Sequence, residues 1–396
     1  MFLFPKKAAK KIPKCISAMF AVLIICSCFC CVNVSALSAE DITAPSAVLM
    51  EPYTKQILFE KNPHEVRACA SITKVMTLIL IFEAIEAGKI DYTDEVCTSA
   101  HAAGMGGSDI WLEEGEVMSV YDMIKAVVVA SANDAAVALA ELVCGSEDEF
   151  VNKMNERAKE LGMNDTTFKN CNGLDEEGHL TCAYDVALMS AELIRHEKIF
   201  EFSSIWLDYL RDGETQIVNT NKMMLQSSSY YRSYIKGLKT GTTSQAGSCM
   251  SATAERDGLS LVAVVLGCDS GTSRFSDSAK LLDFGFANYK VATLTLPEGC
   301  LAPVDVKGGM VPFVTVECTA KESLVLPKGN AAELLVEYSI DEEIEAPVVK
   351  GQIVGKVTYS YNGEIVEECD ITASQSTEAM NFGAIMMLLW QKLISL

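Results

Sequence analysis

An α+β fold is predicted by three features of the chain. Three apolar helical segments occur between residues 70 and 144, consecutive strand-like runs begin near residue 235, and short β-rich runs split by proline and glycine follow from about residue 292. Helices that precede consecutive antiparallel strands pack as α+β rather than as alternating βαβ units. With 396 residues and 49% hydrophobic content, the chain has enough for about two domains with sizeable cores.

The first 39 residues carry Lys6, Lys7, Lys10, Lys11 and Lys14, then the apolar run "CISAMFAVLIICSCFCCV", then the small residues Val34-Ser35-Ala36. This is the layout of a secretory signal peptide, with cleavage after Ala36 or Ala39. An uncleaved membrane anchor is the alternative, because the run is about long enough to span. Without those five lysines, 27 basic residues face 53 acidic ones, a net charge of −26. Such a surface disfavours binding nucleic acid through its phosphates. Ten of the fifteen cysteines lie beyond the leader, scattered and without a C-x-x-C pair. That spacing resembles neither a zinc site nor a dense disulfide framework, and it points to a weakly oxidising setting or to pairing among some of the ten.

Residues 70 to 87, "ASITKVMTLILIFEAIEA", are apolar on nearly every face and stop at Gly88, which predicts a helix buried inside a domain with Ser71 in its first turn. A second helix starts at "SVYD", where Ser119 and Asp122 form a capping box, and runs through "MIKAVVVA" to a break at "SAND". A third, "DAAVALAELVC", runs from Asp134 to Gly145. The strands "SCMSATAER" and "LSLVAVVLG" join through Asp257-Gly258. These elements belong to an expected first domain over 40–292.

A small all-β domain is expected over 293–372, with a hairpin at Asn362-Gly363. The tail, 373–396, ends in "NFGAIMMLLWQKLISL", too short to span a bilayer comfortably. On a helix, Asn381, Gln391, Lys392 and Ser395 share one side, and Phe382, Met386, Leu389, Trp390 and Leu393 share the other. That division fits a helix lying in a membrane interface, or else one packed on its own domain.

Ser71 precedes Lys74 by three residues, so a helical turn puts both on one face. A serine needs a base within hydrogen-bond reach, and a lysine serves as base only when its charged form is disfavoured. Apolar flanks supply the desolvation, and the start of a helix favours the alkoxide. A lone S-x-x-K is a weak signal, and "SYIK" at Ser233 to Lys236 is a decoy. "SAN" at Ser131 to Asn133 and "KTG" at Lys239 to Gly241 follow in order, whereas "SYN" at Ser360 comes too late. Ser131 is placed to relay a proton, Asn133 to hold Lys74 and a substrate amide, and Lys239 with Thr240 to bind a carboxylate. Gly241 lets an extended substrate approach a strand edge. The backbone N–H groups of Ser71 and Thr242 form an oxyanion hole if the helix start faces that strand.

S-x-x-K, S-x-N and K-T-G in this order mark penicillin-binding proteins and class A β-lactamases. "ASITKVMT", "GSDIWLEEGE", "VASANDAAVALAE", "GLDEEGHLTCAYDVALM", "GLKTGTTSQAGSCMSATAERDG" and "RFSDSAKLLDFGF" resemble, block by block, the D-alanyl-D-alanine carboxypeptidases among the low-molecular-weight penicillin-binding proteins. The resemblance covers roughly 42–290 and implies a β-lactamase/DD-peptidase-like catalytic domain. It also implies a serine peptidase that removes the terminal D-alanine from peptidoglycan stem pentapeptides through an acyl-enzyme on Ser71. Lys74 would be the acylation base, and Ser131 with Asn133 the second element. Lys239, Thr240, Gly241 and Thr242 would form the substrate strand. No cofactor and no metal are implied, in accord with the lack of H-E-x-x-H. β-Lactam antibiotics would bind covalently, and the enzyme would work at the outer face of the cytoplasmic membrane, held to its surface by the C-terminal helix.

Two rival functions share these motifs. A class A-like β-lactamase needs a deacylating glutamate in E-x-x-L-N, and in "NERAKELGMNDTTFKN" neither Glu156 nor Glu160 begins that motif. An inert peptidoglycan-binding protein keeps the fold and loses the nucleophile or the lysine, both of which are present. His179 is assigned a structural role, since the chain has four histidines and no G-x-S-x-G elbow.

Overall fold

The computed structural model describes residues 37–328 and 334–394. Residues 1–36 of the expected 1–39 leader, and Ser395, lie outside the described residues. Two strands missing from the sequence-based expectation open the fold, β1 (Ser46–Glu51) and β2 (Gln56–Lys61), paired as an antiparallel hairpin. Next comes the buried helix α1 (Lys74–Glu86), entered through a 3-10 turn over Ala70–Thr73. The expected helix over 70–87 is therefore present, but its first turn, the one with Ser71, is wound more tightly.

Helix α2 (Val120–Lys125) is capped by Ser119, whose side chain accepts from Asp122 N, and passes into a π-helical turn over Ala126–Ala130. Helices α3 (Asn133–Cys144), α4 (Glu147–Leu161) and α5 (Ala183–Leu193) follow. Three long strands, β3 (Ile235–Thr243), β4 (Gly247–Arg256) and β5 (Leu259–Cys268), and then α6 (Gly271–Asn288) complete this part. Asp257 and Gly258 both have positive φ, 53° and 78°, the backbone of a type I′ turn.

The five strands make one antiparallel sheet in the order β2-β1-β5-β4-β3. Side chains alternate between the faces of a strand, which fixes the layers. A Cβ on Gly285 of α6 would lie 2.5 Å from Leu261 Cδ1, so α6 packs directly on the face that carries Leu261. Leu261 pairs with Ala254, and Ser251, three positions earlier on β4, points the other way, where Ser190 of α5 meets its hydroxyl at 2.7 Å. The sheet is thus sandwiched between α6 and the helical layer that starts with α5. Within that layer α1 is buried nearly all round, with Ile79, Ile81 and Phe82 at 1% exposure or less. Each such side chain contributes on the order of 1.5–3 kcal/mol when fully withdrawn from water. The same burial carries Lys74 into the core.

The remaining elements are short strands. Val316–Cys318, Glu364–Ala373, Ile353–Tyr361 and Leu334–Ile340 form a four-stranded antiparallel sheet in that spatial order. Phe313–Val314, Val304–Lys307 and Glu343–Glu345 form a three-stranded one. Tyr289–Thr293, which straddles residue 292, pairs with Ser323–Pro327. Val304, Val314, Val357, Tyr359 and Ile371 fill a separate small core. The hairpin turns at Asn362-Gly363, both with positive φ. Helix α7 (Phe382–Ile394) closes the described chain, with Phe382, Met386, Trp390 and Leu393 exposed. Among the described residues no helix is long and apolar enough to cross a membrane.

Candidate active site

The site is built around the 3-10 turn that leads into α1. Ala70 has φ +51°, a left-handed kink that presents Ser71 at the start of the helix. Two glycines accept that kink. A Cβ on Gly173, itself at φ +87°, would lie 2.0 Å from Ala70 O, and one on Gly241 would lie 2.6 Å from Cys69 O and 3.0 Å from Ser71 N. A side chain at either position would push the turn away. Gly173→Ala is expected to cost about 1–3 kcal/mol through overpacking and strain and to slow acylation of Ser71. Thermal melts and β-lactam labelling check this, and an unchanged variant would show that the turn tolerates displacement.

His179 supports the turn from beneath. Its Nδ1 accepts from Lys169 N at 3.2 Å, so Nε2 carries the hydrogen and donates to Thr73 Oγ1 at 2.8 Å, and Thr73 in turn donates to Ala70 O at 2.9 Å. Burial lowers the His179 pKa to about 4, which keeps the ring neutral and this relay of donors intact at ordinary pH. The assigned structural role therefore has a definite content, which is to hold the backbone one residue before Ser71.

Lys74 Nζ lies 3.1 Å from Ser71 Oγ, 2.5 Å from Asn133 Oδ1 and 2.6 Å from Asn172 O. Burial lowers its pKa to about 7, against the opposing pull of Cys171, Asp109 and Asp134. The lysine is thus poised between charge states close to neutral pH, as a general base requires. Asn172 is a partner the sequence did not reveal, because it acts through its backbone carbonyl.

Ser131 ends the π-helical turn with φ +62°, and α3 begins two residues later. A π turn widens the helix locally and is frequent at functional sites. Here it leaves Ser131 Oγ accepting from Lys239 Nζ at 2.8 Å. Asn133 faces Lys74 with its oxygen and donates through Nδ2 to Gly106 O at 2.6 Å. The neighbouring Asp134, whose place in the sequence marks only the start of a helix, accepts from Ile110 N, Leu112 N and Ala135 N at 3.1, 3.0 and 2.8 Å. Its carboxylate pins the 106–112 loop beside Asn133.

Strand β3 supplies the opposite wall. Lys239 is 2% exposed, and burial, followed by the charges of Lys74 and Arg274, pushes its pKa well below the ordinary lysine value. Thr240 Oγ1 meets Thr220 Oγ1 at 2.6 Å, and the exposed Thr242 receives Arg274 Nη1 at 2.7 Å. Arg274 also donates to Gly241 O at 2.8 Å. This arginine from the first turn of α6 lies inside a block already singled out, yet only the packing of α6 on the sheet brings it to the KTG strand. Lys239 and Arg274, two basic side chains beside one strand end, suit an anionic group, whose charge would favour their protonated forms.

All eight predicted residues gather here: Ser71, Lys74, Ser131, Asn133, Lys239, Thr240, Gly241 and Thr242. The decoys do not. Lys236 is exposed, with Glu255 at 3.9 Å, and Ser360 belongs to the C-terminal β-hairpin. Glu156 and Glu160 are exposed on α4, Glu160 paired with Arg157 at 3.1 Å.

Residues 33–270 match the family described as D-alanyl-D-alanine carboxypeptidase. The chain belongs to that family. Residues 301–379 match the penicillin-binding protein 5 C-terminal domain, as the β-rich second part of this carboxypeptidase family member would suggest. The chain is 41% identical over 343 residues to D-alanyl-D-alanine carboxypeptidase DacF of Bacillus subtilis, covering 86% of this chain and 87% of DacF. It is 32% identical over 353 residues to DacC of Escherichia coli, 87% of each chain. Its fold is similar to penicillin binding protein 5 from Haemophilus influenzae, with a TM-score of 0.75 and 29% identity over 87% of this chain and 100% of that one. It is also similar to penicillin-binding protein D2 from Listeria monocytogenes in an ampicillin-bound form, with a TM-score of 0.56 and 30% identity over 62% of this chain and 98% of that one.

Proposed function

We propose that this family member is a serine carboxypeptidase that removes the terminal D-alanine from peptidoglycan stem pentapeptides through an acyl-enzyme on Ser71. The observation that carries the assignment of residues is the contact of Ser71 Oγ with a buried lysine whose pKa is lowered to about 7. Neutral Lys74 takes the Ser71 hydroxyl proton as Oγ bonds to the carbonyl carbon of the penultimate D-alanine. The oxyanion is held by Ser71 N and Thr242 N. As the C–N bond breaks, the proton passes from Lys74 by way of Ser131 to the departing amine, and water then hydrolyses the ester. Lys239 and Thr240 bind the terminal carboxylate, and the extended peptide lies along β3 past Gly241.

The experiment that tests this is intact mass after brief exposure to benzylpenicillin, paired with release of D-alanine from a pentapeptide. A persistent single adduct on Ser71 together with D-alanine release is expected. Rapid turnover of the adduct with drug hydrolysis would instead point to a β-lactamase, against which the exposed positions of Glu156 and Glu160 already argue. No adduct on folded protein would point to an inert binder.

We read the chain as a leader over 1–39, a catalytic domain over 40–292, a β domain over 293–372 and a tail over 373–396 that holds the exported enzyme to the outer face of the membrane. The exposed apolar side chains of α7 support the last point. Deleting 376–396 is expected to release the protein from membranes on fractionation, and full retention would defeat the anchoring role.

A further inference from the structure

Three side chains from separate parts of the sequence converge away from the Ser71 site. His64 lies between β2 and the Ser71 turn, Asp165 follows α4, and Cys182 is the N-cap of α5. One donor atom from each lies within 4.8 Å of the others. Asp165 Oδ2 stands between its partners, 3.0 Å from His64 Nδ1 and 3.6 Å from Cys182 Sγ. A tetrahedral zinc ion with bonds of about 2.0 Å to nitrogen and oxygen and about 2.3 Å to sulfur has edges between ligands of roughly 3.3–3.6 Å. The two separations from Asp165 Oδ2 agree with this to within about 0.3 Å, and the third, His64 Nδ1 to Cys182 Sγ, lies within 4.8 Å. A thiol, an imidazole and a carboxylate together suit zinc rather than magnesium or calcium, which take oxygen donors.

The donors are oriented by partners of their own, as the ligands of a metal site are. Cys182 Sγ accepts from Asp185 N at 3.4 Å, and Asp165 N donates to Asp185 Oδ2 at 2.9 Å. That same carboxylate, 1% exposed, also receives Thr166 Oγ1 at 2.7 Å. The His64 ring packs on Tyr184 with centroids 5.0 Å apart, and Tyr184 N donates to Pro63 O at 3.0 Å. The His64 and Asp165 side chains are 62% and 34% exposed, which leaves a path from solvent and room for a water ligand.

We propose that His64, Asp165 and Cys182 form a zinc site whose fourth ligand is a solvent water. Binding releases the Cys182 S–H proton to solvent and uses the Nδ1 lone pair of His64, with the ring hydrogen on Nε2. The ion bridges the segment that leads to Ser71 and the start of α5. Arg67 and Thr181, three residues after His64 and one before Cys182, already exchange backbone hydrogen bonds of 2.7 and 2.9 Å. The metal braces this junction and takes no part in the peptidase steps.

A plain hydrogen-bonded cap with no metal is the competing account, and Cys182→Ser separates the two. Serine is a favoured N-cap, so the variant keeps the cap and loses the thiolate. The purified protein is titrated anaerobically with Co2+, reading thiolate-to-cobalt charge-transfer absorption. A band that saturates at one equivalent and is bleached by Zn2+ is expected. It should vanish in Cys182→Ser, and the affinity should fall by at least about tenfold in His64→Ala and Asp165→Asn. Zn2+ should raise the melting midpoint of the parent protein but not that of Cys182→Ser. No band in the folded parent, or the same band at the same affinity in Cys182→Ser, overturns the proposal. His64 is exposed, so His64→Ala keeps the test decisive if a change at the buried cysteine disturbs folding.

Discussion

Ser71→Ala is expected to abolish both the covalent β-lactam adduct and the release of D-alanine, a fall of roughly 10³-fold or more. The side chain lost is one hydroxyl at the mouth of α1, and the packing that holds the turn does not depend on it. Gly173 and Gly241 meet the backbone of residues 69 to 71, and the His179–Thr73 relay grips Ala70. Lys74 keeps Asn133 Oδ1 and Asn172 O as acceptors. The melting midpoint should therefore stay within a few degrees of the parent's. Intact mass after exposure to benzylpenicillin reads the outcome directly. An adduct that formed on the folded variant would remove Ser71 as nucleophile and turn attention to Ser131, the next hydroxyl in the site.

The parts of this site that were legible in the sequence are those written in local patterns. Ser71 and Lys74 are three residues apart on a helix, and the apolar run around them announces the burial that lowers the lysine pKa. Asn362-Gly363 and Asp257-Gly258 specify their turns because each needs two residues of positive φ. The elements that escaped notice depend on contacts distant in sequence. Every residue of β1 is buried, so it lacks the alternation that marks a half-exposed strand. Its place beside β5, with Ser46 opposite Leu266, has no local signature. Asn172 acts through a carbonyl that any residue would provide. Arg274 opens the block "RFSDSAKLLDFGF", but its link to Gly241 and Thr242 exists only once α6 packs on the sheet. The same holds for His64, Asp165 and Cys182, whose spacing in the chain suggests no metal motif.

Lys74 carries the second large prediction, because its charge state sets both rate and stability. As the acylation base it must be neutral, and with a pKa of about 7 the neutral form dominates only above that pH. The rate of acylation by a β-lactam should rise about tenfold per pH unit below 7 and level off above it. Lys74→Ala should lower the plateau by about 10²–10⁴-fold and remove this inflection. The stability effect has a definite sign. The pKa is depressed from its ordinary value of 10.5, so between about 7 and 10.5 the unfolded chain binds the extra proton and stability rises with pH. The slope reaches up to about 1.4 kcal/mol per pH unit for a single group. Lys74→Met, which keeps most of the side-chain volume, should lessen that rise in denaturant melts taken across the same window, leaving the part that the buried Lys239 contributes. A variant whose acylation kept the parent's inflection near 7 would assign that titration, and the role of base, to another group in the site.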